Sequence, residues 1–175
     1  MTRFSIEDRQ FMARAIQLGW KGLYTTHPNP RVGCVLVRDG RIIGEGYHIR
    51  AGEGHAEVNA LKQAGDARGA TAYVTLEPCS HYGRTPPCAQ GLIDAGIRRV
   101  VAAMVDPNPE VAGRGLQMLR DAGIEADSGL LEDQARELNP GFLSRMERGR
   151  PFIRLKLAMS ADGRTAMASG ESKWI

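Results

Sequence analysis

The sequence lacks any apolar run approaching the ~18 residues of a membrane span, so no membrane partner is expected. Its first residues, Met1-Thr2-Arg3-Phe4-Ser5, lack the apolar core of a secretory signal. Both absences favour a cytoplasmic protein. Cysteine is scarce, with three among 175 residues, an odd number. In a reducing compartment no disulfide framework is expected, and metal ligation becomes the better use for a pair of thiols. An excess of charge is missing too. The net value of +3 is too mild to imply a nucleic-acid partner and is compatible with a small phosphorylated ligand. Internal repeats and low-complexity segments are absent.

What is there is an ordinary globular composition, 42% hydrophobic and 25% charged, with a length that suits one domain plus an extension. Ser5 followed by Asp8 marks a helix start, and Phe11, Met12, Ala15, Ile16 and Gly19 then share a helical face. A Pro-rich loop over 25–31 leads to a strand at 34–38, a turn at Asp39-Gly40 and an antiparallel partner at 41–47. Cys34 lies in the apolar run of the first strand and reads as a buried core thiol. A short helix starts at His55, and a β-rich run covers 71–76. Cys88 opens another helix ended by Gly96, and 99–104 is the next strand. A helix over 116–122 closes at Gly123, followed by a short strand at 124–126. Residues 131–146 read as a longer helix interrupted near Asn139-Pro140-Gly141, and 151–159 as one more strand. The order predicts an α/β fold, a layered sandwich with a mixed sheet.

The chemistry concentrates in Gly54-His55-Ala56-Glu57, Glu77-Pro78-Cys79 and Pro87-Cys88. One imidazole and two thiolates make a donor set suited to zinc. Three protein ligands leave a fourth tetrahedral position for water, whereas a closed structural site normally uses four. Glu57 is then left to move protons. On the first turn of a helix, His55 and Glu57 can reach one point off the helix end, where the helix dipole favours an anion. Glu77, at the end of a strand, reads as a buttress or a cap for backbone amides. A His-x-Glu followed by Pro-Cys and a second Cys is the general signature of zinc nucleobase deaminases.

Eight residues separate the two cysteines, where the common signature has two. The string from Glu77 through Ser80-His81-Tyr82-Gly83-Arg84-Thr85-Pro86-Pro87 to Cys88 resembles the deaminase domain of the bifunctional RibD family of riboflavin biosynthesis. So do Thr26-His27-Pro28-Asn29-Pro30, His55-Ala56-Glu57-Val58, Asp106-Pro107-Asn108-Pro109 and Val111-Ala112-Gly113-Arg114-Gly115. The resemblance implies a three-layer αβα sandwich with a mixed sheet, cytidine deaminase-like, over residues 1–146. It implies His55, Cys79 and Cys88 as zinc ligands and Glu57 as the catalytic proton carrier. The implied reaction is hydrolytic deamination of 2,5-diamino-6-ribosylamino-4(3H)-pyrimidinone 5′-phosphate to 5-amino-6-ribosylamino-2,4-pyrimidinedione 5′-phosphate. Residues 147–175 resemble the opening of that family's reductase domain, through Ser160-Ala161-Asp162-Gly163-Arg164-Thr165 and Ser172-Lys173-Trp174-Ile175. The expectation is a truncated reductase domain, with NADPH used only by a longer parent chain, where Ala158, Ser172 and Trp174 match positions lining the nicotinamide or substrate site.

Substrate contacts are expected from Asn29, which can read a pyrimidine edge, and from Asp106 and Asn108 after a strand end. His48 reads as a substrate contact, as a residue orienting one, or as a plain surface histidine. His81 and Arg84 stand in the long spacer, where the resemblance places the ribose phosphate, with Arg84 where a Lys is often found. His27 has no assigned role. The partner is thus a small pyrimidine ribotide, without nucleic acid; a homo-oligomer is compatible with the chain. Two other readings compete. Deamination of cytosine, guanine or tRNA adenine fits the long spacer poorly, and a tRNA enzyme should be more basic. A structural zinc domain would need a fourth ligand, for which His48 and His81 are the spare candidates.

Tyr82-Gly83 permits a turn and Pro86-Pro87 stiffens the return to Cys88, which leaves Arg84 free to reach past the base. A charge-assisted phosphate contact is worth roughly 1.5–3 kcal/mol, or about one to two decades of affinity. Arg84→Ala should therefore lower kcat/KM for the phosphorylated substrate by that factor and far less for the dephosphorylated nucleoside. Equal losses on both, in steady-state kinetics, would make Arg84 a support for the loop.

Overall fold

The structure, a computed structural model, describes residues 3–81 and 86–172. Helix α1 (Ile6–Trp20) begins in a capping box: the Ser5 hydroxyl accepts from the Asp8 amide at 3.0 Å, and the Asp8 carboxylate accepts from the Ser5 amide at 2.8 Å. Strands β1 (Gly33–Arg38) and β2 (Arg41–Tyr47) form the expected hairpin around Asp39-Gly40. There follow α2 (Ala56–Ala64), β3 (Thr71–Val74), α3 (Cys88–Asp94), β4 (Arg99–Ala102), α4 (Arg114–Asp121) and β5 (Glu125–Ser128). The helix expected over 131–146 is interrupted where expected, giving α5 (Glu132–Leu138) and α6 (Pro140–Arg148), divided at Asn139. Pro140 cannot continue the ladder of α5 but suits the first turn of α6.

The five strands lie in the order β2-β1-β3-β4-β5. β1 runs antiparallel to both neighbours, while β3, β4 and β5 are parallel, so the sheet is mixed. Side chains alternate between its faces with period two. Leu36, Val74 and Val100 pack with Ala60, Leu92 and Leu116, which puts α2, α3 and α4 on one side. Val35, Tyr73 and Val101 pack with Met12, Ile16 and Leu138, which puts α1 and α5 on the other. The result is the expected three-layer sandwich, with Cys34 fully buried in its core. Leu143 of α6 joins Leu76 and Met104 in a smaller cluster, backed by Val32 and Phe142, beyond the carboxyl ends of β3 and β4.

The strand expected over 151–159 is not formed. Its alternating apolar residues find no pairing neighbour, and Ile153 and Leu155 stay exposed. Alternation marks a segment able to be a strand, but the ladder needs a second chain edge. No helix among the described residues is long and apolar enough to cross a membrane.

The helix that carries the site residues lies directly on β2. A Cβ built on Gly46 would stand 2.3 Å from the Ala56 carbonyl oxygen and 2.4 Å from the Ala60 nitrogen. Both are backbone atoms and cannot rotate away. Gly46→Ala should cost about 1–3 kcal/mol, the range for overpacking, and lower Tm by roughly 2–10 °C. Thermal unfolding checks this; an unchanged midpoint would mean that α2 can lift from the sheet at little cost.

Candidate metal centre and its cavity

His55 is the N-cap residue of α2, yet its side chain makes no capping bond, so the imidazole points to other work. Cys79 follows the end of β3, and Cys88 is the first residue of α3. Three separate elements thus deliver one donor each. His55 Nδ1 lies 3.2 Å from Cys88 Sγ and 3.7 Å from Cys79 Sγ. All three donor atoms fall within 4.8 Å of one another. Zinc bonds of about 2.0 Å to nitrogen and 2.3 Å to sulfur, at tetrahedral angles, separate N from S by about 3.5 Å. The donor set and its spacing fit the ion.

The protons in the metal-free trio tell the same story. A hydrogen bond from the Cys88 thiol holds Cys79 well below the ordinary thiol range, against its burial. That bond, together with burial, pushes Cys88 up. The Cys88 amide also donates to Cys79 Sγ at 3.3 Å. His55 is raised by its bond to Cys79, with burial opposing. The cluster already favours a thiolate on Cys79, and metal binding would displace the remaining protons.

Glu57 is 4% exposed, on the first turn of α2 beside this trio. Burial raises its carboxyl to about 7, and the negative charge of Cys79 adds to that. Glu77 is as buried as Glu57 but serves differently, as the expected cap for backbone amides. Its Oε2 accepts from the amides of Asp106 at 3.0 Å and Gly113 at 2.9 Å; its Oε1 accepts from Gly115 at 2.8 Å and Leu116 at 3.1 Å. His55, Glu57, Glu77 and Cys79 lie on a cavity of about 350 Å³.

Residues 5–104 match the family of the cytidine and deoxycytidylate deaminase zinc-binding region. The whole chain aligns at 68% identity with riboflavin biosynthesis protein RibD of Haemophilus influenzae, covering 47% of that protein. A solved Acinetobacter baumannii RibD superposes with TM-score 0.93 at 62% identity, over 97% of this chain and 48% of that one. A Thermotoga maritima diaminohydroxyphosphoribosylaminopyrimidine deaminase/5-amino-6-(5-phosphoribosylamino)uracil reductase superposes at 0.92 with 47% identity, over 97% and 49%. The chain belongs to the RibD family. It spans about half the length of the curated relatives it matches. The fold is that of the cytidine deaminases, with a mixed five-stranded sheet, and the zinc site of this RibD domain is His55, Cys79 and Cys88.

Around that centre, the RibD cavity gathers most of the residues singled out above. Asn29, His48, His81, Asp106 and Asn108 all line it. His48 is buried, and both ring nitrogens are engaged: Nδ1 with the Gly54 carbonyl oxygen at 3.2 Å, Nε2 with Asn29 Nδ2 at 3.1 Å. Nδ1 therefore donates, and Nε2 accepts from the Asn29 amide. This removes His48 as a spare metal ligand. Among the described residues, the metal-binding group contains only His55, Cys79 and Cys88, so the closed four-ligand site finds no support. His48 instead turns Asn29 toward the cavity, and burial lowers its pKa. Asp106 and Asn108 shape the turn after β4, accepting from the amides of Asn108 at 2.8 Å and Glu110 at 3.1 Å. Burial pushes Asp106 up to about 6, and the nearby Glu77 charge adds to it. His81 is exposed at the rim. Arg84 and Trp174 lie outside the described residues. Ala158 and Ser172 are exposed and do not line the cavity; the Ser172 hydroxyl donates to the Thr165 carbonyl at 3.1 Å.

The sequence reading missed a wall of the cavity. Phe142, Arg145 and Met146 of α6 line it. Their i, i+3, i+4 spacing was a signal of one helical face. What turns that face inward is Asn139, whose side chain accepts from the Arg31 amide at 2.7 Å and donates to the Arg31 carbonyl at 2.8 Å. That pair ties α6 to the loop carrying Asn29.

Elemental analysis should find about one zinc per chain, as three converging donors require. A ligand that binds only the native state stabilises it, so removing zinc with a chelator should lower Tm, and adding zinc should restore it. Metal-free protein with an unshifted Tm on zinc addition would contradict the assignment.

Proposed function

We propose that this domain deaminates 2,5-diamino-6-ribosylamino-4(3H)-pyrimidinone 5′-phosphate by hydrolysis, releasing ammonia and 5-amino-6-ribosylamino-2,4-pyrimidinedione 5′-phosphate. The observation that carries the reading is the buried Glu57 carboxylate beside the His55–Cys79–Cys88 donor set, on the floor of a cavity of about 350 Å³. The activity in the name of the Thermotoga relative supports the choice of substrate. Zinc held by the three donors would supply Lewis acidity, making water nucleophilic at neutral pH.

Glu57 is the proton carrier. Its carboxylate takes a proton from the attacking water and gives it to the ring nitrogen next to the amino-bearing carbon. A carbon–oxygen bond forms at that carbon. Glu57 next takes the remaining hydroxyl proton and passes it to the amino group. The carbon–nitrogen bond breaks, ammonia leaves and the carbonyl forms. Atoms balance with one water consumed. Asn29, oriented by His48, and the turn of Asp106 and Asn108 are assigned to the pyrimidine. His81 and Arg84 are assigned to the ribose phosphate. Residues 147–175 are assigned to the start of a reductase domain, with Ala158, Ser172 and Trp174 on its nicotinamide or substrate side and NADPH used only in a longer parent.

Ammonia release from the diaminopyrimidine ribotide, with cytidine and guanine as controls, tests the assignment; a preference for either control would replace the substrate. Glu57→Gln should keep zinc and the fold while losing roughly 100- to 10,000-fold in turnover, the usual contribution of general acid–base catalysis. A zinc-loaded Glu57→Gln enzyme with near-normal kcat would move the proton transfer to another group.

A further inference from the structure

Charge is unevenly spread over the catalytic cavity. Its floor holds Glu57, Glu77 and Asp106, whereas among the described lining residues Arg145 is the one arginine or lysine. The Arg145 side chain is exposed and has no hydrogen-bond or carboxylate partner among the described residues. Arg136 of α5, by contrast, is bound by Glu147.

A second cavity of about 530 Å³ adjoins the first and shares Pro28, Asn29, Pro30, Phe142 and Arg145 with it. Arg31 and Arg150 line this annex with Arg145, and no described lining residue is a carboxylate. Arg31 stacks over Trp20 at 5.5 Å. Burial lowers its pKa, and the like charge of Arg154 lowers it further. Three arginines line this space with no carboxylate among its described lining residues, which leaves an anion to come from outside. The position of Arg145 is built rather than incidental. Leu143 and Ser144 fix the buried side of α6, Asn139 ties its start to Arg31, and Arg145 must then project at the junction of the two cavities.

We propose that Arg145, presented by α6 at the cavity mouth with Arg31 and Arg150 behind it, binds the phosphate of the ribotide substrate. The zinc centre would hold the base at the other end. The inference rests on the ribotide reading of this cavity and adds an anchor supplied by α6.

The test compares zinc-loaded wild type, Arg145→Ala and Arg145→Lys on the ribotide and on its dephosphorylated nucleoside. Arg145→Ala should raise KM for the ribotide roughly ten- to a hundredfold, with a several times smaller effect on the nucleoside. Lysine should recover part of the loss, since it keeps the charge and loses the planar fork. Calorimetric titration with ribose 5-phosphate reads the same contact without turnover and should show weaker binding by Arg145→Ala. A wild type that binds ribose 5-phosphate through Arg145 but leaves the ribotide unreacted would overturn the deaminase reading and keep the anion site. Equal KM changes on both substrates, or unweakened ribose 5-phosphate binding by Arg145→Ala, would overturn the anion site itself.

Discussion

The buried carboxylate of Glu77 holds the metal side of this molecule in place. It accepts four backbone N–H groups, one from the turn after β4 and three from the start of α4. An anion taken from water needs such compensation, and amides aimed at a charge give strong bonds. Because Glu77 stands two residues before Cys79, the same bonds set where that sulfur lies. The helix end comes so near that a Cβ on Gly115 would be 1.8 Å from the Pro78 carbonyl oxygen. Without glycine there, α4 could not close on the Glu-Pro-Cys segment, and the turn carrying Asp106 and Asn108 would lose its attachment to the metal.

β3 is pinned at its opposite end by a second buried carboxylate. Asp8, already closing the cap of α1, accepts from the Tyr73 hydroxyl at 2.7 Å and from Arg99 of β4 at 2.8 Å. Burial works against its charge, but these donors outweigh it and draw its pKa down. The central strands therefore have polar clamps at both ends and an apolar interior between. Packing fixes their depth on each face, and the clamps fix their position along the strand axis. A displacement there would move Cys79 relative to His55, which rides on a different element.

The metal trio and Glu57 were legible in the sequence because their chemistry is bound to short spacing. His55 and Glu57 share one helical turn, and Cys79 and Cys88 mark the end of a strand and the start of a helix. The mixed sheet could be read from period-two runs alternating with helical ones. The α6 wall could not. Phe142 is more than 110 residues along the chain from Asn29, and the bond pair between Asn139 and Arg31 that joins their segments follows no local pattern. His48 needed its two partners before it could be told from a spare ligand. Residues 151–159 show the opposite error, since a good strand pattern met no partner edge.

The cavity also imposes an orientation. Its floor is acidic and metal-binding, and it adjoins a second cavity lined by Arg31, Arg145 and Arg150. Glu77 is turned to four backbone amides and is engaged in the scaffold. Glu57 and Asp106 remain, both buried, where burial favours their protonated forms. Near the zinc centre such groups can hydrogen-bond a nitrogen-rich ring. The arginines that line the adjoining annex favour an anion instead. A molecule carrying an amino-substituted heterocycle at one end and a phosphate at the other gains at both ends in only one direction. Under the proposed function, that direction brings the ring to Glu57, so binding energy gathered far from the reacting carbon is spent on placing it.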